Sequence, residues 1–324
     1  MAIQSGLVQA FLLDRQGSGQ SLNAEQISEW QSHQGLLWVH VDYTDEEAVR
    51  WLTEEASLDP VVVEALTVTD TRPRCTPFGQ NLLLVLRGVN LNPGAEPDDM
   101  VSIRLWVEQN RIISTRKRQL ASIQDMVSAI KQQQAPMNSG EFVVDLADHL
   151  TWRMSDTIEN YDETLANLED RILSNDHSDI KTELSSLRRQ IITLHRYLAP
   201  QRDALARLQT EKQYWLDEGQ RLRLREVTDR MIRYLEDIDA MRERAIVIQE
   251  ELQSQLSEKG NQRVYLLSII TAVFLPLGLV TGLLGINVGG MPGADNPDAF
   301  LYVSVGLFIT GIILTLLLRR KNWL

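Results

Sequence analysis

Val264-Tyr265-Leu266-Leu267-Ser268-Ile269-Ile270-Thr271-Ala272-Val273-Phe274-Leu275-Pro276-Leu277-Gly278-Leu279-Val280-Thr281-Gly282-Leu283-Leu284 runs without a charged residue. As a helix rising about 1.5 Å per residue it reaches about 30 Å, the thickness of a bilayer's hydrocarbon core. Ala299 to Leu318 is a second uncharged run, closed by Arg319, Arg320 and Lys321 with Trp323 beyond. The two predict a membrane hairpin, with spans at about 264–284 and 299–318 and an outer loop at 285–298. Helices in a soluble core rarely go so long without a polar stripe.

The flanks give the expected orientation. Lys259 and Arg263 precede the first span and the basic cluster follows the second, whereas the loop holds Asp295 and Asp298 but no Lys or Arg. Positive charge stays inside, so both termini are expected to be cytoplasmic. No basic segment followed by an apolar one opens the sequence, so the large leading portion is expected to stay inside as well. A single cysteine, Cys75, excludes an intrachain disulfide.

The first span has two faces. Steps of three and four from Asn261 give Asn261, Val264, Ser268, Thr271, Leu275, Gly278, Gly282 and Gly285, mostly small or polar. The offset set Leu266, Ile270, Val273, Leu277, Val280 and Leu284 is bulky and apolar. In lipid a small, polar face either packs closely on another helix or lines a wet lumen. The bulky face meets acyl chains or the second span. Two spans cannot enclose a pathway alone, so a lumen requires several copies around an axis. The loop that follows, Gly285-Ile286-Asn287-Val288-Gly289-Gly290-Met291-Pro292-Gly293, could present carbonyls and an amide to a passing ion.

Upstream, β-type runs at Leu7–Leu13, Leu36–Val41, Asn81–Leu86, Val101–Val107 and Ile112–Thr115 alternate with helical pieces at Asp45–Ala56, Pro60–Leu66 and Leu120–Gln133. They predict an α/β domain over 1–137, with a hairpin connection at Asn92-Pro93-Gly94. Long helices follow over 138–262, ahead of the membrane domain at 263–324. One helix is expected from Val143 to Ile172, a second from Ile180 to Gln209, and a third beginning near Asp217-Glu218-Gly219. The third carries Leu224, Val227, Met231, Tyr234, Ile238, Met241, Ala245, Ile248 and Leu252 at alternating steps of three and four, a stripe that must be buried. It could continue into the first span as one rod of roughly 95 Å. The same heptads also fit a coiled-coil dimer that ends in a separate anchor.

The formal net charge of -12 argues against a nucleic-acid partner and is compatible with cation gathering, although solubility alone accounts for such a balance. No P-loop, nucleophile elbow, zinc-hydrolase histidine pair or dinucleotide fingerprint is present, so an enzyme is not expected.

Thr271-Ala272-Val273-Phe274-Leu275-Pro276, then Gly285-Ile286-Asn287, Met291-Pro292 and the ending Arg319-Arg320-Lys321-Asn322-Trp323-Leu324 resemble the CorA-type divalent metal ion transporters, in particular the zinc-transporting ZntB branch. The likeness extends over essentially the whole chain. Magnesium-transporting members typically carry Gly-Met-Asn followed closely by an acidic residue; here Ile286 replaces Met and Val288-Gly289-Gly290 follows. The resemblance implies zinc uptake across a bacterial inner (plasma) membrane through a homopentamer, with a funnel-shaped cytoplasmic portion and proton coupling. Magnesium, cobalt or nickel transport is the alternative, and a membrane-anchored cytoplasmic sensor or scaffold is the alternative of a different class. No covalently bound cofactor is implied; Zn2+ or another divalent cation enters as cargo, and lipid and further copies of the chain are the partners.

The same likeness implies that Asn261, Val264, Leu267 or Ser268, Thr271, Leu275, Gly278 and Gly282 face the pore. Val264 and Leu267 would form an apolar constriction. Gly285, Ile286 and Asn287 would form the outer mouth, where Asn287 receives the hydrated cation. Asp295 and Asp298 would attract cations, or be ordinary residues of a solvated turn, and for Asp298 a helix N-cap before Ala299-Phe300-Leu301 is the plainer role. Neither span holds a proton relay, which leaves His33, His40, His149, His177 and His195 as candidates by pKa; the plainer reading of each is a surface or packing histidine. Glu236, Asp237, Asp239, Glu243, Glu250 and Glu251 could bind regulatory metal between subunits, or be a solvated helix face.

Overall fold

The apolar runs near the N-terminus build one seven-stranded sheet: β1 (Leu7–Leu13), β2 (Gly19–Ser21), β3 (Leu36–Asp42), β4 (Arg74–Phe78), β5 (Asn81–Gly88), β6 (Val101–Val107) and β7 (Arg111–Arg116), ordered β2-β1-β3-β7-β6-β5-β4. The structure, a computed structural model, describes residues 3, 5–174, 179–286, 293 and 296–320. These form two units, Met1–Gln249 and Glu250–Leu324. β3 and β7 pair in parallel and the other neighbours are antiparallel, including the expected β5–β6 hairpin.

The strands read as nearly continuous apolar runs because both faces of the sheet are covered. β3 shows this directly. Leu37, Val39 and Val41 join a core with α2 (Glu46–Glu54) and α3 (Pro60–Thr67). Trp38 points the other way and meets Phe142 of α5 (Ser139–Trp152) edge-on, with ring centroids 4.9 Å apart. A further helix, α4 (Ala121–Lys131), buries Ile123, Met126, Val127 and Ile130.

Three elements were not expected. β2 is short and polar, without an alternating signal. β4 contains Pro77, which is tolerated because β4 is an edge strand. Helix α1 (Ala24–Glu29) does have a legible start, since Asn23 and Gln26 form a reciprocal capping box.

The single helix expected from Val143 to Ile172 is instead two, α5 and α6 (Ser155–Leu173). At the junction the backbone tightens: Met154 N–H donates to the Thr151 carbonyl at 3.1 Å. The Thr151 hydroxyl donates back to the Ala147 carbonyl at 2.8 Å, a side-chain bond that bends helices. Arg153 at the bend reaches Asp125 of α4 through a forked ion pair, Nε to Oδ2 at 2.5 Å and Nη2 to Oδ1 at 2.6 Å.

α7 (Ile180–Thr210) and α8 (Glu218–Leu284) complete the helices of the first unit, and α8 runs on into the second. The heptad stripe of α8 is buried inside this one chain, so it needs no dimer partner. Leu224, Val227, Met231, Ile238, Met241, Ala245, Ile248 and Leu252 are all buried, but Leu235 takes the place expected for Tyr234, which is half-buried. Burying each large aliphatic side chain is worth about 1.5–3 kcal/mol, so the stripe dominates this packing. Ion pairs flank it, from Arg223 to Asp145 (2.6 Å) and Arg230 to Asp148 (2.8 Å) on α5, and from Arg244 to Asp162 (2.5 Å) and Glu169 (2.8 Å) on α6. Half-exposed pairs of this kind contribute at most about 1 kcal/mol each and serve mainly to set register.

Candidate ion pathway

In the second unit, the end of α8 and α9 (Ala299–Arg320) are both long and apolar enough to cross a membrane. They pack on one side of α8 only. Ile269 is 9 % exposed there, and Val273 and Leu277 are half-buried. From α9, Leu307, Gly311, Leu314 and Leu318 are partly covered along one side, as is Ala299 at its start. Gly311 lets the helices approach: a Cβ built on it would lie 3.6 Å from Leu277 Cδ1. Ile269 was not on the bulky face expected from sequence, whereas Leu266, Ile270, Val280 and Leu284 of that face remain exposed.

At about 100° per residue, Asn261, Val264, Ser268, Thr271, Leu275, Gly278 and Gly282 centre on a direction about 180° around α8 from the α9 contact. All seven are exposed, as is Leu267 on the flank of this face. Val264, Leu267 and Leu275 reach 65, 64 and 69 %. A Cβ built on Gly278 or Gly282 meets nothing within 4 Å. Among the described residues, the hairpin therefore spends none of the small-residue face on its own packing.

The polar groups on this face are oriented by the helix itself. Ser268 Oγ donates to the Val264 carbonyl at 2.9 Å and Thr271 Oγ1 to the Leu267 carbonyl at 2.8 Å. Each hydroxyl proton is thus committed and the oxygen remains an acceptor, the polarity that suits a cation or its water shell. Pro276 supplies no N–H for the Ala272 carbonyl, which leaves a further acceptor in mid-span.

Gly285 closes α8, its N–H donating to the carbonyls of Thr281 (2.9 Å) and Gly282 (3.2 Å), and Ile286 follows exposed. Asn287 and Asp295 lie outside the described residues. Asp298 stands at the start of α9: its carbonyl accepts from Tyr302 N–H at 3.1 Å, and its own N–H donates to Asn296 Oδ1 at 3.0 Å.

Of the histidines, His40 is fully buried, and burial first, with Arg116 adding to it, pushes its pKa down to about 3. It shares the Ser114 hydroxyl (Nδ1 to Oγ 2.8 Å) with Trp38 Nε1 (2.9 Å), so it is a packing histidine that stays neutral near pH 7. His195 lies 3.6 Å from Asp239, between α7 and α8. His177 is outside the described residues. Among the described residues no group of three or more His, Cys, Asp or Glu side chains is arranged to hold a metal within the chain.

An α/β unit followed by helices and two apolar spans defines an integral membrane protein with two spans per chain. Residues 33–320 match the model of the family described as CorA-like Mg2+ transporter protein, and the chain belongs to that family. It is 37 % identical to the divalent cation transporter CmaX of Pseudomonas aeruginosa, covering 99 % of this chain and 98 % of the relative. It is also 35 % identical to the zinc transport protein ZntB of Pectobacterium atrosepticum, covering 99 % and 97 %. The solved structure of full-length CmaX superposes with a TM-score of 0.86 over 99 % of each chain at 37 % identity. The CorA magnesium transporter of Methanocaldococcus jannaschii shares the fold at a TM-score of 0.83, with 18 % identity over 98 % of this chain and 99 % of that one.

Proposed function

We propose that this chain moves divalent cations, with zinc as cargo, inward across a bacterial inner membrane through a homopentameric pore. The first span supplies the lining through Asn261, Val264, Leu267 or Ser268, Thr271, Leu275, Gly278 and Gly282. Asn287, with Gly285 and Ile286, forms the outer mouth, and Asp295 and Asp298 raise the local cation concentration. The observation that carries this reading is the bare small-residue face of α8, turned away from α9. A simple anchor needs no such face, whereas several copies arranged around a lumen do.

No Asp, Glu, Lys, Arg or His lies within Val264–Leu284 or Ala299–Leu318. The cargo therefore meets amide, hydroxyl and carbonyl dipoles and keeps much of its hydration shell, because stripping a small divalent ion would demand stronger ligands. Zinc is supported by the ZntB relatives. A second reading, broad divalent-cation transport, is supported by the printed name of the Pseudomonas relative. Zinc and magnesium flux into proteoliposomes, with and without an imposed pH gradient and with Asn287→Ala as control, tests both and tests proton coupling. Absence of flux for every metal returns the chain to the anchored-scaffold reading.

A further inference from the structure

A cavity of about 280 Å³ in the first unit is lined by Tyr43, Thr69, Arg87, Ser102, Lys117 and Arg118, together with Met100 and Val101. The sheet assembles it. Arg87 on β5 sits opposite Ser102 on β6, and Lys117 and Arg118 follow directly from β7, which pairs with β6. The lining holds three cations and three hydroxyls but no carboxylate, in a chain of net charge -12.

These cations are only partly compensated. The Arg87 side chain is 9 % exposed, and its nearest ion-pair partner, Asp70, is 4.0 Å away and 98 % exposed. Arg87 donates through Nε and Nη2 to the Thr71 carbonyl (3.2 and 2.8 Å) and through Nη1 to the Met100 carbonyl (2.9 Å), and it stacks 4.1 Å from the Tyr197 ring centroid. A guanidinium has five N–H donors, so two remain. Burial lowers the Arg87 pKa; Tyr197 and Asp70 oppose that shift, and Arg118 and Arg196 add to it. Arg118 is held by Asp99. The Lys117 side chain makes no hydrogen bond or ion pair among the described residues.

Arg104 adds to the field. It is fully buried, 4.7 Å from the ring centroid of Tyr43, and it caps the end of α3 through Nη2 to the Val68 carbonyl at 2.5 Å. Among the described residues its Nε and Nη1 meet no hydrogen-bond partner within 3.5 Å, and the neighbouring Tyr43 is what favours its charged form. Buried cations such as Arg87 and Arg104 without a close counter-charge are costly, and an anion beside Arg87 offsets part of that cost.

We propose that this cavity binds a small, soluble, phosphate-bearing anion. Its oxygens would be met by Lys117, the outward N–H groups of Arg87 and Arg118, and the hydroxyls of Tyr43, Thr69 and Ser102. Ligand pockets for drug-sized molecules begin near 300 Å³, so this one takes a phosphate or diphosphate group and leaves any larger remainder outside. Forked guanidinium donors and an ammonium are the groups that recognise such oxyanions.

The test is thermal unfolding of the purified full-length protein in neutral-lipid nanodiscs, metal-free and at constant ionic strength, titrated with pyrophosphate against sodium chloride. A saturable rise in midpoint is expected with pyrophosphate alone. Lys117→Gln, compared with its own ligand-free midpoint, should weaken the apparent affinity roughly tenfold. Equal midpoints in pyrophosphate and chloride, or the same affinity in Lys117→Gln, would overturn the proposal. Stabilisation by phosphatidate-containing nanodiscs in place of pyrophosphate would overturn the assignment to a soluble anion. Binding is read without any flux, so a protein that fails to transport can still pass.

Discussion

Gly278→Leu separates a lumen-facing surface from an idle one. In the single chain a Cβ at 278 meets nothing within 4 Å, and the position lies on the far side of α8 from Ile269, Val273 and Leu277. The hairpin should accept the leucine, since exchanging a helix-interior glycine for a better helix former favours the helix by up to about 1 kcal/mol. Around a shared lumen the same change places an apolar side chain from every copy at one depth. Taking the about 2.5–3.5 kcal/mol that insertion scales assign to one charged side chain at mid-bilayer as an upper guide to the added barrier, the flux should drop by up to roughly 70- to 400-fold. Gly311→Leu is the opposite control. Its Cβ would already touch Leu277 at 3.6 Å, so the larger side chain overpacks the hairpin by about 1–3 kcal/mol and should lower the unfolding midpoint. The assay is initial zinc flux into proteoliposomes at matched protein density, alongside thermal unfolding. Wild-type flux in Gly278→Leu would refute a pore lined by this face.

Further outcomes are expected at other positions. Val264→Ser should raise resting leak, because a hydroxyl rewets an apolar constriction; an unchanged leak removes Val264 from the gate. Asp295→Asn should depress uptake more at low than at high ionic strength, and equal effects would make the residue structural. His40 has a folded pKa below its ordinary value, so the unfolded chain takes up a proton there first as pH falls. Stability is therefore lost below about pH 6.5, by about 1.4 kcal/mol per pH unit until the folded pKa near 3. Unfolding midpoints should show this slope, His40→Gln should flatten it, and a slope unchanged by the substitution would show that other groups cause it.

Much of the architecture is legible because it rests on periodicity. β1, β3, β5, β6 and β7 appear where apolar runs placed them, and α7 and α9 begin at Ile180 and Ala299 as expected. The elements that escape notice lack that signal: β2 is Gly-Gln-Ser, and β4 carries a proline that only an edge position accommodates. The bend at Met154 leaves the steps of three and four unbroken, so spacing could not reveal it. Tyr234 and Leu235 are both acceptable heptad residues, and only packing chose the leucine. The cluster of Arg87, Lys117 and Arg118 is invisible along the chain, because pairing of β5, β6 and β7 is what brings it together.

By itself the sequence determined the spans, because twenty uncharged apolar residues have few places to go but lipid. It also determined that the first span has unlike faces, since a period of 3.6 residues sorts its side chains before any neighbour is present. Only the tertiary structure decided which face α9 would take, and it took Ile269, Val273 and Leu277, where a glycine on α9 permits close approach. It likewise decided that the heptad stripe is covered by the chain's own helices, and that His40 is shut away from protons. Those outcomes depend on which surfaces meet, and one helix's pattern does not specify the shape of its partner.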